Sequence, residues 1–493
     1  MQRLHSHFFS VVGATLALSL AACGDGDKPA ATPPEPPRAC DSEPEILTTA
    51  AGVEFVRTPD SCFGDLADWP YEPRYVELDG LRQAYVDEGA ADGPVVLLLH
   101  GQPSWSYLYR TMIPVLAEAG FRVIAMDHLG LGRSDKPTEI RSYSFLGHND
   151  RLLRFIEALE LRDITLFGQD WGSVVGLRTA GLNPGLFARI VIGNGRMRVI
   201  DEPPYPVVEE PDVSVDLPPR FDRLPAQQFP FYDGCRRLVP RDDSTFADWM
   251  VYAMKAKAFR PSEVLEAGTW FDLPEEVEAA YDAPYPSRVY MAGVRVFPSL
   301  INEVAGVNTE ARAGLEAFER PFLTIWAAND GGGLGGCEVQ DDLICNIPGA
   351  AGQPHARLPE ASHFLQDDQG PEIARRVVAF IRNDRSVTGN HEEDCDRSED
   401  DAPQLPVTED GTGTECNTDA ECRGLDAGHC IPVNARPGFC TVQGCAPGQC
   451  GAFYTCCGDC DPAVASLLPF EGSACVPQVA AAQLSNAAGC SCQ

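Results

Sequence analysis

Gly168-Gln169-Asp170-Trp171-Gly172 stands between the apolar run Ile164-Thr165-Leu166-Phe167 and the apolar stretch Ser173-Val174-Val175-Gly176-Leu177. The pattern reads as a strand, a sharp glycine-flanked turn and a helix, an arrangement that exposes one side chain at the mouth of a sheet. Here that side chain is the carboxylate of Asp170. Turns of this kind more often carry serine, and the exchange changes the chemistry. A serine oxygen that displaced a leaving group from an sp3 carbon would end as an ether with nothing nearby to cleave it. A carboxylate ends as an ester, which water can hydrolyse. The turn therefore points at alkyl carbon. An Asp at the start of a helix is also a common cap, so the position alone leaves a structural role open.

Working outward from about Tyr75, short apolar runs alternate with helical periodicity. Strands are expected at Pro94 to Leu99, Arg122 to Ala125 and Ala188 to Ile192, and helices from Tyr107 to Ala119 and from Phe145 to Leu159. Such alternation implies a mostly parallel sheet covered by helices on both faces. After Asn194 it stops: the stretch from about Met197 to Ser299 is rich in proline, aromatics and helical segments, and a strand, Phe322 to Trp326, resumes the earlier style. An insertion between two strands of one sheet reads as a helical lid over their carboxyl ends, where such sheets bind ligands. A strand at Ala356 to Leu358 and a last helix from about Glu372 to Ile381 complete the pattern. The expectation is an α/β-hydrolase fold, with residues 46–196 and 300–384 as the core and 197–299 as an inserted helical cap.

The two ends of the chain are of another kind. Arg3, the apolar run from Phe8 to Ala22 and the sequence Leu20-Ala21-Ala22-Cys23 resemble a bacterial lipoprotein signal, which would remove residues 1–22 and lipidate Cys23. Residues 23–45, with Pro33, Pro34, Pro36 and Pro37, read as an extended tether. No other stretch approaches the length of a membrane-spanning helix. The expected location is therefore outside the cytoplasm, periplasmic or on the cell surface, held to a bacterial membrane by a lipid anchor alone. Nineteen cysteines fit an oxidising compartment, and setting Cys23 aside leaves eighteen, an even number. Residues 385–412 read as an acidic linker. From 413 to 493 cysteines recur every few residues with little apolar material between them, as in a small disulfide-rich domain. Its Cys456-Cys457 and Cys490/Cys492 give no clean zinc spacing with histidines, since His429 stands alone. A net charge of -34, with acidic clusters from Asp201 to Asp216 and Glu392 to Asp401, argues against nucleic acid or any other polyanion as a partner.

The groups that Asp170 would need can be sought in order. His363 lies in the loop before the last helix, in the chain order nucleophile, acid, histidine. There it can deprotonate a water that attacks the carbonyl of an Asp170 ester. An imidazole that becomes imidazolium needs an anion beside it, and Asp330, at the end of Leu323-Thr324-Ile325-Trp326-Ala327-Ala328-Asn329, is the best placed. His355 and His391 read as surface or satisfied core residues. His100-Gly101-Gln102-Pro103 after a strand brings the backbone N–H of Gln102 beside the elbow, together with that of Trp171, as a pair of oxyanion donors. A plain strand-to-helix turn is the alternative for this motif, and HG-x-P is shared with epoxide hydrolases.

Taken together, His100-Gly101-Gln102-Pro103-Ser104-Trp105, the elbow, Asp330 and Ser362-His363-Phe364 resemble haloalkane dehalogenases of the branch whose acid follows the later strand. Phe246-Ala247-Asp248-Trp249 and Ala292-Gly293-Val294-Arg295-Val296-Phe297-Pro298 in the insertion add to the match, which runs from about Val53 to Ile381, about two thirds of the chain. The resemblance implies hydrolysis of small apolar haloalkanes through an alkyl ester on Asp170, with no cofactor and no metal. A departing halide needs donors that neither protonate nor attack it, and indole N–H groups in an apolar pocket meet that need. Trp171 is one; by resemblance Trp249 is the second, with Trp270 as an alternative. Other dehalogenases carry the acid after the strand that ends here near Gly193-Asn194-Gly195, where Asn194 cannot supply the charge. Gln102 stands where the family often shows Glu or Asn, and its side chain remains a candidate halide contact.

Two other readings stay open. An epoxide hydrolase shares the Asp nucleophile and the histidine but needs lid tyrosines, for which Tyr252, Tyr281, Tyr285 and Tyr290 are available. A surface binding protein with an inactive hydrolase module would give the cysteine-rich tail the main role, toward a protein partner that the sequence does not identify. Cys337 and Cys345, after the run Gly331-Gly332-Gly333-Leu334-Gly335-Gly336, are expected to form a local disulfide, leaving Cys40, Cys62, Cys235 and Cys395 for other pairs.

Overall fold

Val95–Leu99, Ile164–Gln169 and Phe322–Ala327 show no alternation of apolar and polar residues and, apart from Val95, are buried from end to end. Interior strands of a sheet covered on both faces are buried in this way. In the computed structural model, which describes Cys40 and residues 43–208, 232–233, 235–237, 244–330 and 334–396 together with short strands from 415 onward, they lie at the centre of an eight-stranded sheet. We number its strands β1 (Arg74–Leu78), β2 (Leu81–Gly89), β3 (Val95–Leu99), β4 (Arg122–Met126), β5 (Ile164–Gln169), β6 (Phe187–Gly193), β7 (Phe322–Ala327) and β8 (Ala356–Leu358). Their order across the sheet is β1-β2-β4-β3-β5-β6-β7-β8. From β4 to β8 every pairing is parallel, whereas β2 runs antiparallel to both β1 and β4. The β1-β2 hairpin turns at Asp79-Gly80, both at positive φ (54° and 77°), the backbone that a two-residue hairpin turn favours and Asp-Gly adopts readily.

The flanking helices are α1 (Ile113–Glu118), α2 (Phe145–Ala158), α3 (Trp171–Leu182), α8 (Thr309–Glu316), α9 (Cys337–Asn346) and α10 (Leu365–Arg382). Ser144 caps α2 by accepting from Gly147 N at 3.0 Å. The expected helix from Tyr107 to Ala119 is instead a 3-10 turn, Ser106–Tyr109, followed by the shorter α1. Pro114 has no N–H to return to Arg110, so a continuous helix would lose a bond at that point. α10 begins earlier than its periodicity implied, at Leu365, and bends at Gln369, two residues ahead of Pro371.

Between β6 and β7 lie the cap helices α4 (Ser244–Lys255), α5 (Pro261–Ala267), α6 (Glu275–Asp282) and α7 (Ala292–Val296), followed by a 3-10 segment, Phe297–Val304. The cap is stitched to loops that leave the carboxyl ends of the strands. Gln102 Nε2, after β3, donates to Val294 O at 2.7 Å, Trp105 Nε1 to Ala280 O at 3.1 Å, and Phe364 N, after β8, to Gly268 O at 2.9 Å. Residues after α10 return along the edge strand. Asn390 exchanges two hydrogen bonds with the Arg357 backbone, at 2.7 and 2.8 Å, which covers ladder groups an edge would otherwise expose.

The expected pair Cys337 and Cys345 is not formed. Cys337 bonds to Cys235 in the cap, Cys345 to Cys395, and Cys40 to Cys62. Both residues of the expected pair lie on α9, where a rise of 1.5 Å per residue sets them about 12 Å apart along the axis, beyond the reach of a disulfide. The signal segment, Cys23, most of the tether and the side chains of the cysteine-rich tail lie outside the described residues; in the tail, Gly428–Val433 pairs antiparallel with Arg436–Val442. Peptide mapping without reduction is expected to recover a Cys235 to Cys337 cross-link and a Cys345 to Cys395 cross-link, and a Cys337 to Cys345 fragment would contradict this arrangement.

Candidate active site

Asp170 stands between β5 and α3 with φ 51° and ψ -126°. Its side chain makes no capping bond to the helix, so the capping alternative is set aside. The turn is tight because its neighbours lack side chains. A Cβ on Gly172 would run into the carbonyls of Leu99 and His100, and one on Gly101 would collide with the Asp170 carboxylate itself. The backbone is held by Asp170 N donating to Asn194 O at 3.1 Å and by Asp170 O accepting from Ser173 N and Val174 N at 2.9 and 3.2 Å.

The two loops that follow β7 and β8 bring the other groups to this turn. His363 Nε2 lies 3.6 Å from Asp170 Oδ2, and its Nδ1 is 2.8 Å from Asp330 Oδ2. Asp330 is fully buried. Asn194, at the end of β6, donates from Nδ2 to that same Asp330 oxygen at 2.7 Å, while its Oδ1 accepts from Ala327 N at 2.7 Å. The residue that could not serve as the acid thus aims the acid. Burial works against the His363 imidazolium, but Asp330 on one side and Asp170 on the other outweigh it and push its pKa up to about 10.

Gln102 N donates to Asp170 Oδ1 at 2.9 Å. Trp171 is the first residue of α3, so its own N–H has no acceptor within the helix. The Gln102 side chain, a candidate halide contact on sequence grounds, reaches instead to the cap carbonyl of Val294. His100, beneath the loop, accepts from His128 N through Nε2 at 3.1 Å. That fixes its proton on Nδ1, 2.7 Å from Gly101 O.

Trp105 and Trp326 spend their indole N–H groups on backbone carbonyls at 3.1 and 2.6 Å. Trp171, buried against Phe297 and Phe145 with ring centroids at 5.2 and 6.5 Å, has no such acceptor among the described residues. Trp249 is half-buried on α4, stacks on Tyr252 at 6.1 Å and joins the apolar cluster that contains Trp171. Trp270 follows α5, its backbone N–H donating to Asp368 at 2.8 Å. Of the four tyrosines held open for epoxide chemistry, Tyr281 donates to Asp367 at 2.6 Å beside Arg110. Tyr285 packs 5.9 Å from the Lys136 ammonium. Cys235, Cys337 and His391 come close together, but the sulfurs are joined to each other and His391 is bound to Asp341 at 2.6 Å, so they offer no thiolate to a metal.

Several residues to which the sequence assigned no role of their own complete the site. Gln169 Nε2 donates to His363 O at 2.9 Å. Asn329 N and Nδ2 donate to Ala361 O and Pro359 O, at 3.1 and 2.5 Å, and Ser362 Oγ returns to Asn329 O at 3.1 Å. These bonds lock the acid loop to the histidine loop. An Asn or Ser beside a catalytic group carries no periodic signal, and only the meeting of two loops reveals its use.

Comparison with known proteins bears on the fold and the family. Residues 94–331 match the alpha/beta hydrolase fold family. Haloalkane dehalogenases of Mycobacterium marinum and Psychrobacter cryohalolentis are 39% and 35% identical to the chain, over 66% and 67% of its length and 100% and 99% of theirs. The solved tetrameric haloalkane dehalogenase of Paraglaciecola agarilytica is 28% identical, with a TM-score of 0.52 over 66% of this chain and 97% of that one. Whole relatives thus align over about two thirds of the chain at 35% identity or more, and on that ground the chain belongs to the haloalkane dehalogenase family.

Proposed function

We propose that this chain hydrolyses small haloalkanes to an alcohol and a halide through an alkyl ester on Asp170. The observation that carries the reading is the elbow carboxylate itself, with His363 3.6 Å from one oxygen and the Gln102 N–H 2.9 Å from the other. Asp170 attacks the carbon that bears the halogen; the C–X bond breaks, and the halide leaves with the electron pair. The indole N–H of Trp171 receives it, with Trp249 of the cap as the second donor. Both donors are neutral, so they stabilise the anion without protonating it.

Water then attacks the ester carbonyl. His363 takes its proton, Asp330 stabilises the resulting imidazolium, and the N–H groups of Gln102 and Trp171 hold the oxyanion until the bond from the carbonyl carbon to the alkoxy oxygen breaks. The leaving oxygen takes the proton from His363 to give the alcohol, and the Asp170 carboxyl releases the second water proton to solvent. No step asks for a metal or a cofactor. Trp171 favours this chemistry over epoxide opening, which would need tyrosine hydroxyls where Tyr281 is already committed to Asp367.

We further propose that the protein is exported and anchored by lipid on Cys23, a reading that rests on the run from Phe8 to Cys23. The acidic surface and the cysteine-rich tail suit an extracytoplasmic setting. Replacement C23S is expected to shift the protein from the membrane fraction to the soluble fraction with turnover per molecule unchanged, as read by fractionation and halide release.

In the substitution His363→Gln, one halide per enzyme is expected, followed by arrest, with the alkyl group found on Asp170 by intact mass and peptide mapping. The pH dependence follows from the raised pKa of His363. In free enzyme the imidazolium persists until pH approaches about 10. Alkylation neutralises Asp170 and removes one of the two anions that hold that value up, so the base forms at lower pH in the intermediate. Ester hydrolysis should therefore rise with pH at values below about 10 while the first halide burst stays flat, which rapid-quench measurement of the two phases would check.

A further inference from the structure

Asp368 lies in the first turn of α10, outside the groups that touch substrate. Its Oδ2 accepts from Ser362 N at 2.9 Å, and its Oδ1 accepts from Trp270 N at 2.8 Å and Phe271 N at 3.1 Å. Ser362 adjoins His363; Trp270 and Phe271 belong to the cap loop between α5 and α6. One carboxylate thus takes donors from the histidine loop on one oxygen and from the cap on the other. A second stitch runs alongside, Phe364 N to Gly268 O at 2.9 Å, so residues on both sides of His363 are tied to the same cap loop. Ser362 also carries the bond to Asn329 beside Asp330. The neighbouring Asp367 carboxylate makes a different clasp, from Tyr281 of α6 to Arg110 of the core at 2.6 Å each.

We propose that Asp368 is a positioning residue that couples the seating of the cap to the placement of His363, through a carboxylate shared between Ser362 N and the Trp270 and Phe271 amides. The proposal rests on the reading that His363 serves ester hydrolysis while alkylation needs only Asp170 and the halide donors. Loosening the clasp then acts on the second step. A base displaced by a fraction of an ångström from its water loses rate steeply, whereas the nucleophile on its strand-to-helix turn is untouched.

Asp368→Asn separates the two sides. It keeps a carbonyl for the cap amides but turns an NH2 group toward Ser362 N–H. With bromobutane as the probe in rapid-quench experiments, its ester hydrolysis is expected to slow by about tenfold or more while alkylation stays within about twofold of the parent, so the alkyl-enzyme accumulates at steady state and is seen by intact mass. Rates are normalised to the halide burst amplitude, so only folded sites are counted. Asp367→Asn, which loosens the other clasp, is expected to leave the ratio of the two steps unchanged, and Asp368→Glu to recover part of the loss. Equal slowing of both steps in D368N, an unchanged ratio, or the same accumulation in D367N would overturn the proposal while leaving the Asp170 mechanism intact. Failure of H363Q to trap any alkyl-enzyme would overturn that mechanism and the proposal with it.

Discussion

The site depends on one strained residue. A side chain other than glycine at φ 51° costs roughly 1 to 3 kcal/mol, and the surroundings must hold it there. They do so from three directions: Asn194 O takes the Asp170 amide, the first turn of α3 takes its carbonyl, and Gly172 lets the helix settle onto the carbonyls that end β3. Because the turn is this tight, the carboxylate stands clear of the helix instead of capping it, and the Gln102 amide can reach it. Relaxing the turn would give the carboxylate back to the helix terminus, where it would be structural.

Around that point the charges form a short relay with no unpaired member. Asp330 is fully buried, a position that is expensive for a carboxylate unless it is paired and hydrogen-bonded. His363 supplies the charge partner and Asn194 the neutral donor. Asn194 does double duty, since its backbone oxygen holds the nucleophile's amide while its side chain holds the acid. One residue at the end of β6 therefore fixes the spacing between the first and last members of the relay.

The cap is tied to the core at the same places. Val294 receives Gln102, Gly268 receives Phe364, and Asp368 gathers amides from the cap and the histidine loop. Each attachment lies within two residues of a group next to the nucleophile or the base, or adjoins the loop that carries one. The Cys235 to Cys337 disulfide adds a covalent tie between the cap and α9, whose start follows the acid loop.

Much of this was legible in the chain. The alternation of short apolar strands with helices announced a mostly parallel sheet covered on both faces, and glycines around one Asp announced the elbow. The order of Asp170, Asp330 and His363 followed from where strands end. These features depend on local chain chemistry: periodicity, turn geometry and the residue at the tip. The hairpin at Asp79-Gly80, the break at Pro114, the roles of Asn194, Asn329 and Asp368 and the disulfide pairing were not legible to the same degree. Cys337 and Cys345 show why. Their closeness in sequence favoured a local bond, yet the helix that they begin and nearly end drives them apart, and each finds a partner distant in the chain. By itself the sequence determined what chemistry is offered at the elbow, because that rests on residue type and a local turn. Only the tertiary structure decided which amides, acids and sulfurs meet, because those contacts join loops whose spacing is set by the width of the sheet between them.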